Sequence, residues 1–259
     1  MDLDDVLEQT QWDTFWLPDD ASVVEREEIL YLTSPRDEGY LNAVLRVRAD
    51  ASQIPSLVAE VDRAHGAVAS RWMLAGRSRH PALPAALTDA GYAIEHEHFA
   101  YTIDVARYEP RPTTSLVARA VETLDDLRDC QQVTARAFDR PRLTDDALDA
   151  RELAMCTGVG ARVRRFVVRD AATRTPLTSG GMNVYPRLRF GFLWAGGTVP
   201  EGRNRGAYSA LVAARVAEAR ALGLTHVGLY ARVETSAPIV AAQGFTRGGP
   251  MTYWVKRRS

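Results

Sequence analysis

The chain has 259 residues, of which 46% are apolar and 25% charged, and its formal net charge is −1. This balance is that of a globular protein and argues against disorder. The near-zero charge, with a pI near 6.5, leaves no bulk attraction to nucleic acid, and no apolar run approaches the ~20 residues that cross a bilayer.

The start, Met1-Asp2-Leu3-Asp4-Asp5, is acidic and lacks the basic region and apolar run of a signal peptide. Tyr40 to Val47 reads as a strand and Ser52 to His65 as a helix, with Ile54, Leu57, Val58 and Val61 on one face and Gly66 behind it. A strand from Ala67 to Leu74, a helix from Leu83 to Asp89, the pair Gly91-Tyr92 and a strand from His96 to Val105 follow. Trp12, Phe15, Trp16 and Trp72 are concentrated here and are expected to pack a core rather than line an acceptor pocket. His96 and His98 stand two apart and would share one face of a strand, but no third ligand accompanies them. No metal is expected.

Tyr108-Glu109-Pro110-Arg111-Pro112-Thr113-Thr114 cannot continue a strand ladder and marks a boundary. It separates an N-terminal domain, 1–107, from a C-terminal domain, 114–259. Cys130 and Cys156 lack metal-ligand spacing, so a reduced, cytoplasmic protein is expected.

Leu116 to Ala120 reads as a strand. Thr123 with Asp125 and Asp126 opens a helix running to about Phe138. A second helix is expected from Thr144 to Met155, with the loop around Phe138–Arg142 as a lid. Val163 to Arg169, Leu177 to Tyr185 and Phe190 to Thr198 form an expected antiparallel meander. A long helix begins after Gly206, with Tyr208, Leu211, Val212, Val216, Ala219 and Leu222 on one face, and Gly223 stops it. His226 to Ala231 is the next strand, Ala237 to Gln243 a short helix before Gly244-Phe245, and Thr252 to Lys256 the last strand.

The chemically informative stretch is Thr198-Val199-Pro200-Glu201-Gly202-Arg203-Asn204-Arg205-Gly206-Ala207-Tyr208, between a strand and the long helix. The first turn of a helix has unpaired N–H groups and a partial positive charge, so it receives a pyrophosphate well. A glycine lets the backbone approach the anion, and flanking arginines add charge. A plain strand-to-helix turn with surface arginines is the competing reading of the same residues.

Arg203-x-x-Gly206 with Ala207-Tyr208, preceded by Val199, resembles the acetyl-CoA loop of the GCN5-related N-acetyltransferase (GNAT) superfamily, Arg/Gln-x-x-Gly-x-Gly/Ala. Tyr208 departs from the final small residue. Ala-Arg-Ala-Leu-Gly-Leu at 219–224, the strand from His226, and Ser236-Ala237-Pro238 through Gly244-Phe245 follow the family's order over roughly 115–257. The resemblance implies an α/β (α+β) fold with a GNAT-like mixed, mostly antiparallel central sheet flanked by helices. The N-terminal half repeats the element order without an Arg-x-x-Gly loop, which implies two tandem modules, the first degenerate.

The resemblance further implies an N-acyltransferase using acetyl-CoA as co-substrate, without a metal, on a primary amine of a small molecule or peptide. Thr198 and Val199 would pair with the pantetheine arm, Arg203 and Asn204 would complete the loop, and the amides of Arg205, Gly206, Ala207 and Tyr208 would hold the pyrophosphate. A tyrosine that serves many members as general acid falls at Val240 here, which cannot donate a proton. Tyr208, Tyr230 and Ser236 are the alternative donors, and Glu234 is a candidate base or an ordinary loop acid. A non-catalytic acyl-CoA-binding module and acyl transfer from a carrier protein remain as rival readings. Specificity is expected from loops at 31–40, 140–160 and 232–238, and the protein is expected to be a monomer or homodimer.

Overall fold

A computed structural model describes residues 2–111, 113–139 and 145–257. The chain divides into two compact units: Met1–Tyr101 with Tyr230–Ala242 and Thr246–Ser259, and Thr102–Leu229 with Gln243–Phe245.

The first unit contains α1 (Leu3–Gln9), β1 (Ser22–Glu25), β2 (Ile29–Thr33), β3 (Ala43–Val47), α2 (Ile54–His65), β4 (Ser70–Leu74) and α3 (Leu83–Asp89). It also holds most of β5 (Ala93–Asp104), with α7 (Ser236–Ala241) and β11 (Thr246–Lys256) from the C-terminal end. Its strands lie in the order β1-β2-β3-β4-β11. All neighbours are antiparallel except β3 and β4, which run parallel because α2 crosses between them. Trp72 is fully buried among Val44, Leu57, Val61, Leu87 and Tyr92, while Trp12 and Trp16 pack against Leu30, Leu32 and Leu45. The tryptophans are core residues, as expected.

α1, β1 and β2 have no counterpart in the sequence reading. β2 also corrects the expected specificity loop at 31–40, since Tyr31 and Leu32 are buried and pair with neighbouring strands. Buried Glu8 on α1 explains part of this. It accepts from the Ser78 hydroxyl at 2.5 Å and pairs with Arg48 at 3.0 Å, bonds between residues far apart in sequence.

The second unit contains β6 (Leu116–Ala120), α4 (Leu124–Ala137), α5 (Asp146–Thr157), β7 (Val163–Asp170), β8 (Pro176–Tyr185), β9 (Phe190–Thr198), α6 (Ala207–Ala221) and the start of β10 (His226–Arg232). The order is β10-β9-β8-β7-β6, antiparallel throughout except for the parallel pair β9–β10, which α6 connects. The expected meander is therefore present. α4 has a full capping box: Thr123 accepts from the Asp126 amide and Asp126 returns to the Thr123 amide. α5 is capped by Asp145, whose carboxylate accepts from Ala147 and Leu148. The expected cap at Thr144, and the lid residues from Arg140 onward, lie outside the described residues. α6 ends at Ala221, and Gly223, with φ +70°, closes it.

Candidate functional site

The site is built on β9 and the segment that carries it into α6. β9 pairs with β8 from Tyr185–Phe190 to Thr178–Thr198, but the register slips by one residue between Ser179–Gly197 and Gly181–Trp194. Ala195 and Gly196 thus stand together opposite Gly180, with Ala195 at φ +47°. This β-bulge takes backbone groups out of the ladder and bends the strand. On its other edge β9 pairs with β10 only over Phe190–Phe192 against His226–Gly228. Past Phe192 that edge pairs with no described strand.

Glycines make the bulge possible. A Cβ on Gly196 would lie 2.9 Å from a ring carbon of Tyr208, one on Gly181 would lie 2.2 Å from the Trp194 ring, and one on Gly197 would meet Ala137 and Phe138 within 2.9 Å. Aromatic rings therefore rest on both faces of the strand where side chains would otherwise stand.

After β9 the chain makes a 3₁₀ turn, Pro200–Gly202, joined to α4 by Glu201 accepting from Arg136 at 2.6 Å. Arg203 to Gly206 are exposed, with Asn204 at φ +59° and Gly206 at φ +77°. Gly206 is the N-cap of α6, so no side chain accepts from the first-turn amides, and that turn contains no acid. α4 and α5 both have carboxylates and caps at this position. A Cβ on Gly206 would meet nothing within 4 Å. The start of α6 is thus a bare, positive helix end open to solvent.

Arg205 pairs with Asp170 at the end of β7, at 2.5 Å, and holds that carboxyl down at about 2. Arg203 makes no ion pair with a described residue. The eight residues between β9 and α6 therefore present one guanidinium, that of Arg203, not paired with any described residue, beside the helix end.

No protein-family model matches this sequence, and no curated protein matches it either. Solved structures do. A GCN5-related N-acetyltransferase from Kribbella flavida superposes with TM-score 0.74 at 13% identity, covering 100% of this chain and 97% of that one. A tandem GNAT protein from the clavulanic acid biosynthesis pathway gives 0.61 at 13%, over 96% and 87%. A GCN5-related N-acetyltransferase from Sphaerobacter thermophilus gives 0.59 at 17%, over 91% and 75%. The fold is the GNAT fold.

Within this GNAT fold the sequence candidates are distributed as follows. Thr198, Val199, Arg203, Asn204, Arg205, Gly206, Ala207 and Tyr208 form one continuous surface feature of the second unit, except that Val199 and Ala207 are buried. Val199 uses its amide on Leu177, at 3.0 Å, and the Thr198 hydroxyl accepts from Thr178 at 2.9 Å. Tyr208 is half-buried on the first turn of α6, its ring against Gly196 at the bulge.

Glu234 and Ser236 belong to the first unit. Glu234 is exposed in the turn after β10. The Ser236 hydroxyl accepts from the Arg232 amide at 2.9 Å, a turn-closing bond that gives it a structural task. Val240 is fully buried and Tyr230 is packed beside Met73 and Met251, where burial pushes its phenol well above the usual range. Cys130 and Cys156 are buried thiols pushed up to about 12 and about 11, which makes both poor nucleophiles. His96 and His98 do face one another, with ring centroids 6.3 Å apart, and His98 stacks edge-on against Tyr253. Burial lowers His98 to about 4.

Two features of the site were not anticipated: the bulge and the buried Arg215 of α6. The glycine pairs 180–181 and 196–197 were the signal for the first, since glycines in facing strands mark a close approach. For Arg215 there was no signal, because an arginine on a helix is ordinarily surface.

Proposed function

We propose that the protein is a coenzyme A-dependent N-acyltransferase, with acetyl-CoA as donor and a primary amine of a small molecule or peptide as acceptor. The observation that carries this reading is the bare N-terminus of α6 at Gly206, open to solvent and flanked by Arg203. The amides of Arg205 to Tyr208 suit a pyrophosphate. The unpaired edge of β9 toward Thr198 suits an amide-bearing arm, and the backbone released at Ala195–Gly196 suits the acyl carbonyl, whose developing charge N–H donors stabilise. Tyr208 is the proton donor that this reading assigns to the leaving thiolate, in place of the tyrosine replaced by Val240. Glu234 and Ser236 are weaker candidates, the first as base and the second as donor.

The two-module organisation supports the reading. Each half runs strand, crossing helix, parallel strand, short helix, Gly-aromatic and strand: β3-α2-β4-α3-Gly91-Tyr92-β5, and β9-α6-β10-α7-Gly244-Phe245-β11. The first copy, assigned to 1–107, lacks the cradle, for α2 begins Ile54-Pro55 and proline has no N–H to offer. The second, 114–259, is the acyl-CoA-binding module. We place the protein in the cytoplasm as a monomer or homodimer.

A non-catalytic acyl-CoA-binding module is the second reading, favoured by buried Val240. Acyl transfer from an acidic carrier protein is the variant that the basic loop would suit. Incubation with acetyl-CoA and a library of primary amines, following thiol release, separates them. Acceptor-dependent release supports the enzyme, binding without release supports the module, and release only with an acylated carrier supports the variant.

A further inference from the structure

Arg215 is an unusual residue in the second unit. It lies two turns into α6 on the inward face and is 1% exposed. Among the described residues its one hydrogen bond runs from Nη1 to the Gly181 carbonyl at 3.3 Å, while Nε and Nη2 are buried and make none. No described carboxylate forms an ion pair with it. The other buried arginine of this unit, Arg165, is paired with Glu152, and the largely buried Arg169 with Asp126 and Asp129. A buried cation without an anion is costly to keep, so unused donors there point to a partner formed during the chemistry.

Two phenols stand near Arg215: Tyr208 of its own helix, over whose ring the guanidinium lies, and Tyr108 of the segment before β6, whose charge it senses. From β8 it meets the Gly181 carbonyl and Gly180, where a Cβ would lie 3.2 Å from Nη1 and 3.1 Å from the Gly196 Cα. The guanidinium and the bulge thus share one glycine-lined gap. Its carbon is 5.9 Å from the Tyr208 ring centre, and the Tyr208 oxygen would be 3.3 Å from a Cβ on Gly196. Tyr108 already donates its proton to Gln243, at 3.4 Å, and Gln243 in turn donates to Ser209 at 2.7 Å.

The donor inventory decides what this arrangement does. A guanidinium has donors only. A phenol oxygen brought to one of its unused donors can accept from it but cannot give it a proton, so in that pair the Tyr208 hydroxyl hydrogen points away from Arg215. We propose that Arg215 is a positioning residue, which takes the Tyr208 oxygen as acceptor, turns its proton toward the β9 bulge and so stabilises coenzyme A thiolate as it leaves. This rests on the acyltransfer reading above. The amine nitrogen adds to the acyl carbon and the C–S bond breaks with its electron pair on sulfur. The Tyr208 proton passes to that sulfur, the nitrogen releases its proton to solvent, and the phenolate is reprotonated from solvent.

The test needs no acceptor. Calorimetric affinities of coenzyme A and acetyl-CoA are compared at pH about 7 and about 9.5. Only coenzyme A carries a titratable thiol, and each unit by which the site lowers its pKa tightens the thiolate up to about tenfold. The ratio of coenzyme A to acetyl-CoA affinity is expected to rise between about threefold and tenfold with pH, and to stay flat in Tyr208→Phe and Arg215→Met. Arg215→Lys, which keeps the cation should the methionine variant not fold, is expected to retain part of the rise. A flat ratio in the unaltered protein while acetyl-CoA binds, or a rise that survives Arg215→Met, overturns the proposal alone. Failure of folded protein to bind acetyl-CoA overturns the coenzyme A reading with it.

Discussion

Gly206 does two things that no other residue type does together. At φ +77° it turns the chain into α6 without the ~1–2 kcal/mol that a side chain costs in left-handed geometry, and it leaves the space before the helix empty. Asn204, at φ +59°, is the non-glycine type best suited to the same region. Both were legible in the Arg203-x-x-Gly206 spacing, because that signal is local. The bulge residues were not, since their glycines make sense only once β8 lies beside β9. Gly181→Ala tests this packing. Its Cβ would enter the Trp194 ring, whose indole N–H is fixed to Asn183 at 2.9 Å. A loss of about 1–3 kcal/mol in denaturant unfolding is expected, and an unchanged midpoint would show that the ring moves aside freely.

Among elements, those with a strong period or a cap were read to within a residue or two. α4 with Thr123, β7, β9 and α6 with Gly223 all carry their boundaries in local chemistry. β2 and α1 were missed because their order comes from distant partners, chiefly Glu8 with Ser78 and Arg48. β5 shows how burial converts an exposed-looking pair of histidines into a pH-dependent element. Desolvation, reinforced by Arg232, lowers His98 to about 4, below its ordinary value of about 6.5. The unfolded chain therefore takes up the proton first. The stabilising contribution is complete above pH ~6.5 and falls away as pH drops toward about 4. His98→Phe is expected to flatten that limb of the stability–pH curve in urea titrations, and a limb left unchanged would assign the acid sensitivity to other groups.

At the scale of the molecule, two halves with one element order carry unequal helix ends. α6 is capped by Gly206, with no side chain on its first-turn amides, whereas α2 begins with Ile54-Pro55 and β3 leads into it without an Arg-x-x-Gly loop. One coenzyme site per chain, not two, is therefore expected. This repetition was legible in the order of helices, strands and Gly-aromatic pairs. The division into units was less so, since β5 and β10 each pass from one unit to the other and sequence alone places boundaries at prolines.

A coenzyme A site at the start of α6 is tested by calorimetric titration of the unaltered protein and of Gly206→Glu with acetyl-CoA, beside NADH. Saturable one-to-one binding of acetyl-CoA but not NADH is expected. Near-complete loss of affinity is also expected in the variant, which adds charge and bulk to open space while the fold, followed by circular dichroism, is retained. Equal acetyl-CoA affinity in the two proteins, or no binding by the folded unaltered protein, would contradict a coenzyme A site there.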